Sequence, residues 1–204
     1  MNLEDPRVIK TLQHIDEALL ENLDKYEFRK ITVDMLCRVA MINRSTFYKY
    51  YRDKFELLDS FLNRTLEEFS TATVTTGYIL ASPYTISSAD YIKNFRRTIN
   101  YIHDHRTVYM ILWKATIGRR IYQEMEDIIC RNILNTIQGD PPGTREITPY
   151  HDLYARIFAS NLMTLVRWWL TNEPAITEKD VESVMEGNMK NGLFATFSDQ
   201  NQGI

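Results

Sequence analysis

The chain reads as all-α, with a small amino-terminal domain and a larger carboxyl-terminal one. Three observations predict this. Apolar residues recur at steps of three and four through most of the 204 residues, the repeat of a helix face. No stretch of useful length alternates apolar and polar residues as a half-buried strand would. Helix breakers are scarce, with no glycine before Gly77 and no proline between Pro6 and Pro83. An apolar fraction of 44% and an aromatic fraction of 12% supply core for one or two domains.

Taken in order, the first element is a helix from Arg7 to about Asp24. Its stripe is Val8, Leu12, Ile15, Leu19 and Leu23, with His14 beside it. Residues 31–54 follow as two short helices and the start of a third. Thr32 caps the first, Asp34 sits in its first turn, and Val33, Leu36, Cys37 and Ala40 form its apolar face. Asn43 caps the second, whose buried side is Ile42, Phe47 and Tyr51. Asp53 opens the third with Glu56 as its capping-box partner. Two short helices joined by a tight turn over a small apolar cluster describe a helix-turn-helix.

The opposite face of the second helix is polar. Arg44, Ser45, Thr46, Tyr48, Lys49 and Tyr50 crowd into seven positions. Such a helix suits the major groove, where arginine donates twice to guanine and a threonine methyl meets thymine. Tyr48 and Lys54 suit phosphates, which set register rather than sequence. Between Lys25 and Lys54 stand eight basic residues and three acidic ones, in a chain of net charge −3. A local basic patch on an acidic chain fits a focused DNA reader rather than a protein that coats nucleic acid.

The run T-V-D-M-L-C-R-V-A, followed by I-N-R-S-T-F-Y-K-Y-Y-R-D-K-F-E-L-L, resembles the DNA-binding domain of the TetR family of repressors. Its most specific part runs from Ser45 to Leu58. The resemblance implies an amino-terminal three-helix domain over 1–70. Its DNA-binding residues would be Thr32, Arg44, Ser45, Thr46, Tyr48, Lys49, Tyr50 and Lys54. A carboxyl-terminal helical domain for ligand binding and dimerisation would occupy 71–204. One departure stands out: Met41 occupies the turn position where the family usually has glycine, which accepts positive φ cheaply.

Beyond the motif, a helix from Lys54 to about Thr71 carries Phe55, Leu58, Phe61, Leu62 and Phe69. Residues 71–88 read as a connection. Helices are expected over 88–105, 106–116 and 119–137, with Gly118 between the last two and a loop at 138–149. Thr148 caps a further helix to about Leu170, with Pro149 at its first position. Thr177 with Asp180 opens the last helix, and Gly192 stops it. The run R-W-W-L-T-N-E-P resembles the carboxyl-terminal domain of a TetR subgroup common in Gram-positive bacteria.

These helices carry two further expectations. Tyr91, Phe95, Ile99, Tyr109, Trp113, Met125, Ile129 and Phe158 either line a cavity for an apolar or aromatic effector or simply fill the core. Ile157, Asn161, Thr164, Leu165, Val181, Val184 and Met185 are expected at a homodimer interface, because apolar residues cover more than one face of the helix at 149–170. His103-Asp104-His105 alternates around a helix and does not converge on a metal.

The function that follows is a repressor that binds double-stranded DNA at a palindromic operator as a homodimer and is released by a small molecule. A TetR-fold adaptor acting through a protein partner is the alternative, with Met41 in its favour. No P-loop, G-x-S-x-G or H-E-x-x-H motif supports an enzyme, and no cofactor or metal is expected. Two distant cysteines suggest no disulfide framework. The start of the chain is unlike a signal peptide and no membrane span is expected, so a cytoplasmic location follows.

Overall fold

The computed structural model describes residues 5–74, 88–139 and 147–188, and these are helical apart from caps, turns and one 3-10 turn. The chain divides into two compact units. One comprises Met1–Phe69 and Thr107–Gln123, and the other Ser70–Arg106 and Glu124–Ile204.

The first unit begins with α1 (Pro6–Lys25), where the Asp5 carboxylate accepts from the Arg7 amide at 2.8 Å and Pro6 sits in the first turn. Ile15, Ala18, Leu19 and Leu23 are buried. Val8 and Leu12, expected in the same stripe, are only half-buried. A 3-10 turn (Phe28–Lys30) leads to α2 (Val33–Ala40) and α3 (Arg44–Phe47). Helix α4 (Lys54–Thr73) buries Leu57, Leu58, Phe61, Leu62, Leu66 and Phe69. Phe55, expected in that stripe, instead lies 60% exposed. It stands in the first turn of α4, and its ring meets Phe28 edge to face at 5.4 Å.

A half-buried ion pair ties α1 to α4. Arg64 Nη2 lies 2.5 Å from Asp16 Oδ2. Burial pushes the Asp16 carboxyl up, against the pull of the Arg64 guanidinium.

This unit is larger than the expected 1–70 domain, because α6 (Arg106–Lys114) packs into it from Thr107 onward. Tyr109 is buried edge-on to Phe69 at 5.9 Å, and Trp113 stacks on Tyr109 at 6.2 Å. Tyr122 meets Trp113 edge-on at 5.4 Å, and Arg119 Nη1 donates to Asn63 Oδ1 at 3.0 Å. Non-local ring contacts set this membership, which local periodicity does not carry.

The second unit holds α5 (Ser88–Asp104), most of α7 (Ile121–Gln138), α8 (Pro149–Asn172) and α9, helical over 178–188. The last turn of α4 belongs here too. Buried Asn132 donates to the Ser70 carbonyl at 2.9 Å and to Thr73 Oγ1 at 3.1 Å. Thr148 and His151 form a capping box at the start of α8. At the start of α9, the Asp180 carboxylate accepts from the Thr177 amide at 2.9 Å. Arg96 of α5 pairs with Glu182 of α9, its Nη2 donating at 2.8 Å.

Among the described residues, no helix is long and apolar enough to cross a membrane, and no group of three potential metal ligands occurs. His103 stacks on Trp169 and lies 2.8 Å from Glu173 Oε1, whereas His105 Nδ1 contacts the Tyr101 carbonyl. The two histidines therefore do not converge. Cys37 and Cys130 are buried free thiols, and burial pushes both up. Of the connection expected at 71–88, residues 71–73 and 88 are helical and residues 75–87 lie outside the described residues, as does the expected stop at Gly192.

Candidate nucleic-acid interface

The candidate interface is built on a four-residue helix, too short to persist alone. Its anchor is Phe47, fully buried, with its ring edge-on to Tyr48 at 5.6 Å and tilted against Tyr51 at 5.9 Å. Its entry is set by Asn43, at which the chain is extended; the Asn43 side chain makes no cap bond. After Phe47 the ladder tightens, with the Lys49 amide bonded to the Thr46 carbonyl and the Tyr50 amide to the Phe47 carbonyl. The polar residues among 44–50 thus occupy one helical turn and a tight continuation, with Phe47 as their buried anchor.

Arg44, Ser45, Tyr48 and Lys49 are exposed, while Thr46 and Tyr50 are half-buried. Thr32 is exposed and caps α2, its Oγ1 accepting from the Met35 amide at 3.3 Å. Lys49 has no ion-pair partner among the described residues. Arg44 is engaged in the free chain: its Nη1 lies 3.4 Å from Asp34 Oδ1 and its Nη2 3.4 Å from Tyr48 Oη. Any acceptor on DNA must take Arg44 from Asp34, a competition the local charge count does not reveal.

Lys54, expected at a phosphate, is placed otherwise. Its ammonium donates to the carbonyls of Phe28 at 2.9 Å, Arg29 at 3.1 Å and Ile31 at 2.6 Å. Asp53 caps α4 as expected, accepting from the Phe55 and Glu56 amides, while Glu56 Oε2 accepts from the Arg52 amide.

Met41 takes the left-handed conformation, with φ 54° and ψ 43°. The Ile42 amide reaches the Cys37 carbonyl at 3.0 Å and the Met41 amide the Arg38 carbonyl at 3.4 Å, a Schellman closure of α2. The turn geometry that glycine favours is therefore kept at a cost, since a side chain in this region is strained by about 1–2 kcal/mol. Met41 is 87% exposed and offers little packing in return. Met41→Gly is expected to stabilise the first unit by about 1 kcal/mol, read as a higher midpoint in urea titration, with DNA binding intact. A destabilised glycine variant would refute the strain.

The residues expected to line an effector site are divided between the units. Tyr109 and Trp113 lie in the first, and Phe95, Ile99, Met125, Ile129 and Phe158 in the second, all five buried. The Tyr91 side chain lies outside the described residues. An open groove of the second unit is lined by other residues, among them His103, Arg106, Trp169 and Glu173.

The expected interface residues also separate. Val181 and Met185 are buried inside the second unit, on the α9 face that the neighbouring Glu182 ties to α5. Their assignment to a dimer contact is corrected accordingly. Val184, Ile157 and Thr164 face outward, and Asn161 and Leu165 are half-buried. Sequence reasoning missed the neighbours that complete this outer face: Tyr150, Leu153, Tyr154 and Trp168, all exposed. They fall at steps of three and four from Tyr150, the signal that would have found them.

Comparison with known proteins agrees with this architecture. A TetR family model described as a transcriptional regulator C-terminal region matches residues 89–191, half of the chain. Two curated relatives come from Bacillus subtilis (strain 168), both described as uncharacterized HTH-type transcriptional regulators. YxbF is 20% identical over 82% of this chain and YhgD 22% identical over 88%. The chain spans 41% of the length of YxbF, less than half, and 94% of that of YhgD. Among solved structures, a Clostridium perfringens protein described as a candidate fatty acid metabolism regulator is 16% identical, with TM-score 0.60 over 88% of this chain and 98% of that one. A candidate TetR-family transcriptional regulator of Syntrophomonas wolfei is 17% identical, with TM-score 0.60 over 92% and 96%. With its helix-turn-helix at 33–47 and its carboxyl-terminal half matched by that family's own model, the chain belongs to the TetR family of transcriptional regulators.

Proposed function

We propose that the protein is a cytoplasmic repressor that reads a palindromic operator as a homodimer, through Arg44, Ser45, Thr46, Tyr48, Lys49 and Tyr50. The observation that carries this reading is the geometry of α3. A fully buried Phe47 turns Arg44, Tyr48 and Lys49 outward, and Lys49 is left without an ion-pair partner among the described residues. Thr32, at the amino end of α2, is the candidate for a phosphate contact beside them.

The homodimer reading rests on the outer stripe of α8, with Val184 beside it. A two-fold dimer presents two reading heads to a two-fold site, with centres about 34–36 Å apart in successive major grooves. The adaptor alternative loses its motive, because Met41 keeps the left-handed turn in place.

An apolar or aromatic effector of the second domain completes the proposal. Phe95, Ile99, Met125, Ile129 and Phe158 are packed, so a ligand among them enters by loosening that core. It lowers DNA affinity if it prefers a conformer with different head spacing, and DNA then lowers its affinity by the same factor.

The test is a gel-shift with DNA flanking the gene. Arg44→Ala and Lys49→Ala are each expected to weaken binding by about 1–3 kcal/mol if they contact bases. Normal affinity of both folded variants would remove α3 from the interface.

A further inference from the structure

We propose that Lys54 is a positioning residue of the DNA-reading head: its ammonium, caged by three backbone carbonyls, fixes the start of α2 and supports DNA binding without touching DNA. The second half of this statement rests on the interface reading above, whereas the first concerns the free protein alone.

The cage uses the whole capacity of the group. An ammonium has three donors and no acceptor. Lys54 spends them on the carbonyls of Phe28, Arg29 and Ile31, from 23 to 26 residues away in the chain. Two aromatic rings close the remaining sides. The nitrogen lies 4.8 Å from the Phe28 ring centre and 5.4 Å from that of Phe55. These carbonyls sit at and just after the Phe28–Lys30 turn, which supplies a partner to one of them: the Phe28 carbonyl also accepts from the Ile31 amide at 3.1 Å, whereas the turn gives the Arg29 and Ile31 carbonyls no donor. A lysine that leaves this cage for a phosphate takes away the donor that the turn does not supply to the Arg29 and Ile31 carbonyls.

What the cage holds is the entry to the motif. Ile31 is buried, and its carbonyl is one peptide from Thr32, the cap of α2. Helix α2 in turn carries Asp34, the partner of Arg44, and ends in the closure that launches α3. Lys54 is also the first residue of α4. One side chain therefore joins the start of α4 to the start of α2, and the position of α3 follows from both.

Lysine and arginine separate the two roles. A phosphate accepts either cation, and arginine often better. Three converging carbonyls fit a compact ammonium, and a planar guanidinium does not match them.

The experiment uses the full chain with Lys54→Ala and Lys54→Arg, and Lys54→Met, which keeps the stem against the rings, if the alanine variant fails to fold. Amide exchange is measured without DNA. Binding is measured on a duplex from DNA flanking the gene and on a random duplex across a salt series. All variants are expected to lose about tenfold or more of the protection at residues 32–37. They are expected to bind the flanking duplex about tenfold more weakly. The salt slope is expected to stay at the wild-type value. A slope reduced by about 0.9 would mean a lost phosphate contact and would overturn the proposal. Wild-type binding by Lys54→Arg, or unchanged protection in Lys54→Ala, would overturn it equally. If Arg44→Ala and Lys49→Ala both leave DNA binding intact, the interface reading fails, and the exchange measurement alone decides the cage.

Discussion

Phe47→Ala is expected to unfold the reading head at a temperature where the wild type is intact. Phe47 is 0% exposed and is the only buried side chain of α3. Truncating a buried phenylalanine costs about 3–5 kcal/mol, from lost transfer energy and the cavity left behind. That is a large share of the roughly 5–15 kcal/mol that stabilises a domain. For a domain of about 60–100 residues each kcal/mol moves the midpoint by about 4–8 °C, so the first unit should melt more than ~10 °C earlier. The functional loss should exceed the global one. A helix of four residues has almost no stability of its own, so removing its anchor frees Arg44, Tyr48 and Lys49 from any common geometry. Operator binding should therefore fail even below the new midpoint, while Phe47→Leu, which retains most of the volume, keeps part of it. Calorimetry and gel-shift on both variants check this. An alanine variant that melts with the wild type would show that α3 is held by something other than its core residue.

Most of the expected caps were legible because they are local, although Asn43 makes no side-chain cap bond. Thr32, Asp53, Thr148 and Thr177 each sit three residues from a group they bond or are bonded by, and sequence spacing encodes that distance directly. The face of α3 was legible in part: the buried Phe47 fixes Arg44, Tyr48 and Lys49 outward, whereas Thr46 and Tyr50, expected on the same face, are half-buried. Lys54 was not legible in this way. A lysine in a basic stretch is read as a phosphate partner, and nothing local shows that three carbonyls more than twenty residues earlier converge on it.

The second half shows the other limit of pattern reading. Periodicity finds a stripe without saying what covers it. On α9 the stripe of Val181 and Met185 is spent inside the unit, and Val184 is left outside. On α8 there are two stripes, one buried from Ala155 to Leu170 and one exposed from Tyr150 to Trp168. Helix α6 was read as part of the regulatory domain by its place in the chain, yet Tyr109 and Trp113 join the rings of Phe69 and Tyr122 in the first unit. An aromatic-rich helix will pack against any aromatic core, so composition leaves its membership open.

The exposed stripe of α8 leads to the second large effect. Tyr154→Glu combined with Ile157→Glu is expected to yield a folded monomer that has lost operator affinity. Tyr154 is 60% and Ile157 44% exposed in the single chain, so neither change cuts into the core of its own subunit. The buried stripe on the opposite side, including Phe158, Leu162 and Val166, is untouched. The exposed apolar side chains Tyr150, Leu153, Tyr154 and Ile157 in the first turns of α8, with Trp168 further along the same face, form the kind of patch that monomers seldom leave in water. The Asn188 amide, 3.5 Å from Asn161 Oδ1, brings α9 alongside it and widens the surface. Two carboxylates per subunit in the middle of a two-fold contact meet two more across the axis. Burying them unpaired costs several kcal/mol, enough to dissociate a dimer at micromolar concentration. Loss of the dimer removes simultaneous binding of two half-sites, which accounts for about 10²–10⁴ in affinity without any base contact being altered. Helical circular dichroism should be unchanged, sedimentation should report a single-chain mass, and a duplex carrying one half-site should bind as it does to the wild type. A variant that stays dimeric would move the interface elsewhere, and a monomer that binds the full site as tightly as the wild type would show that one reading head suffices.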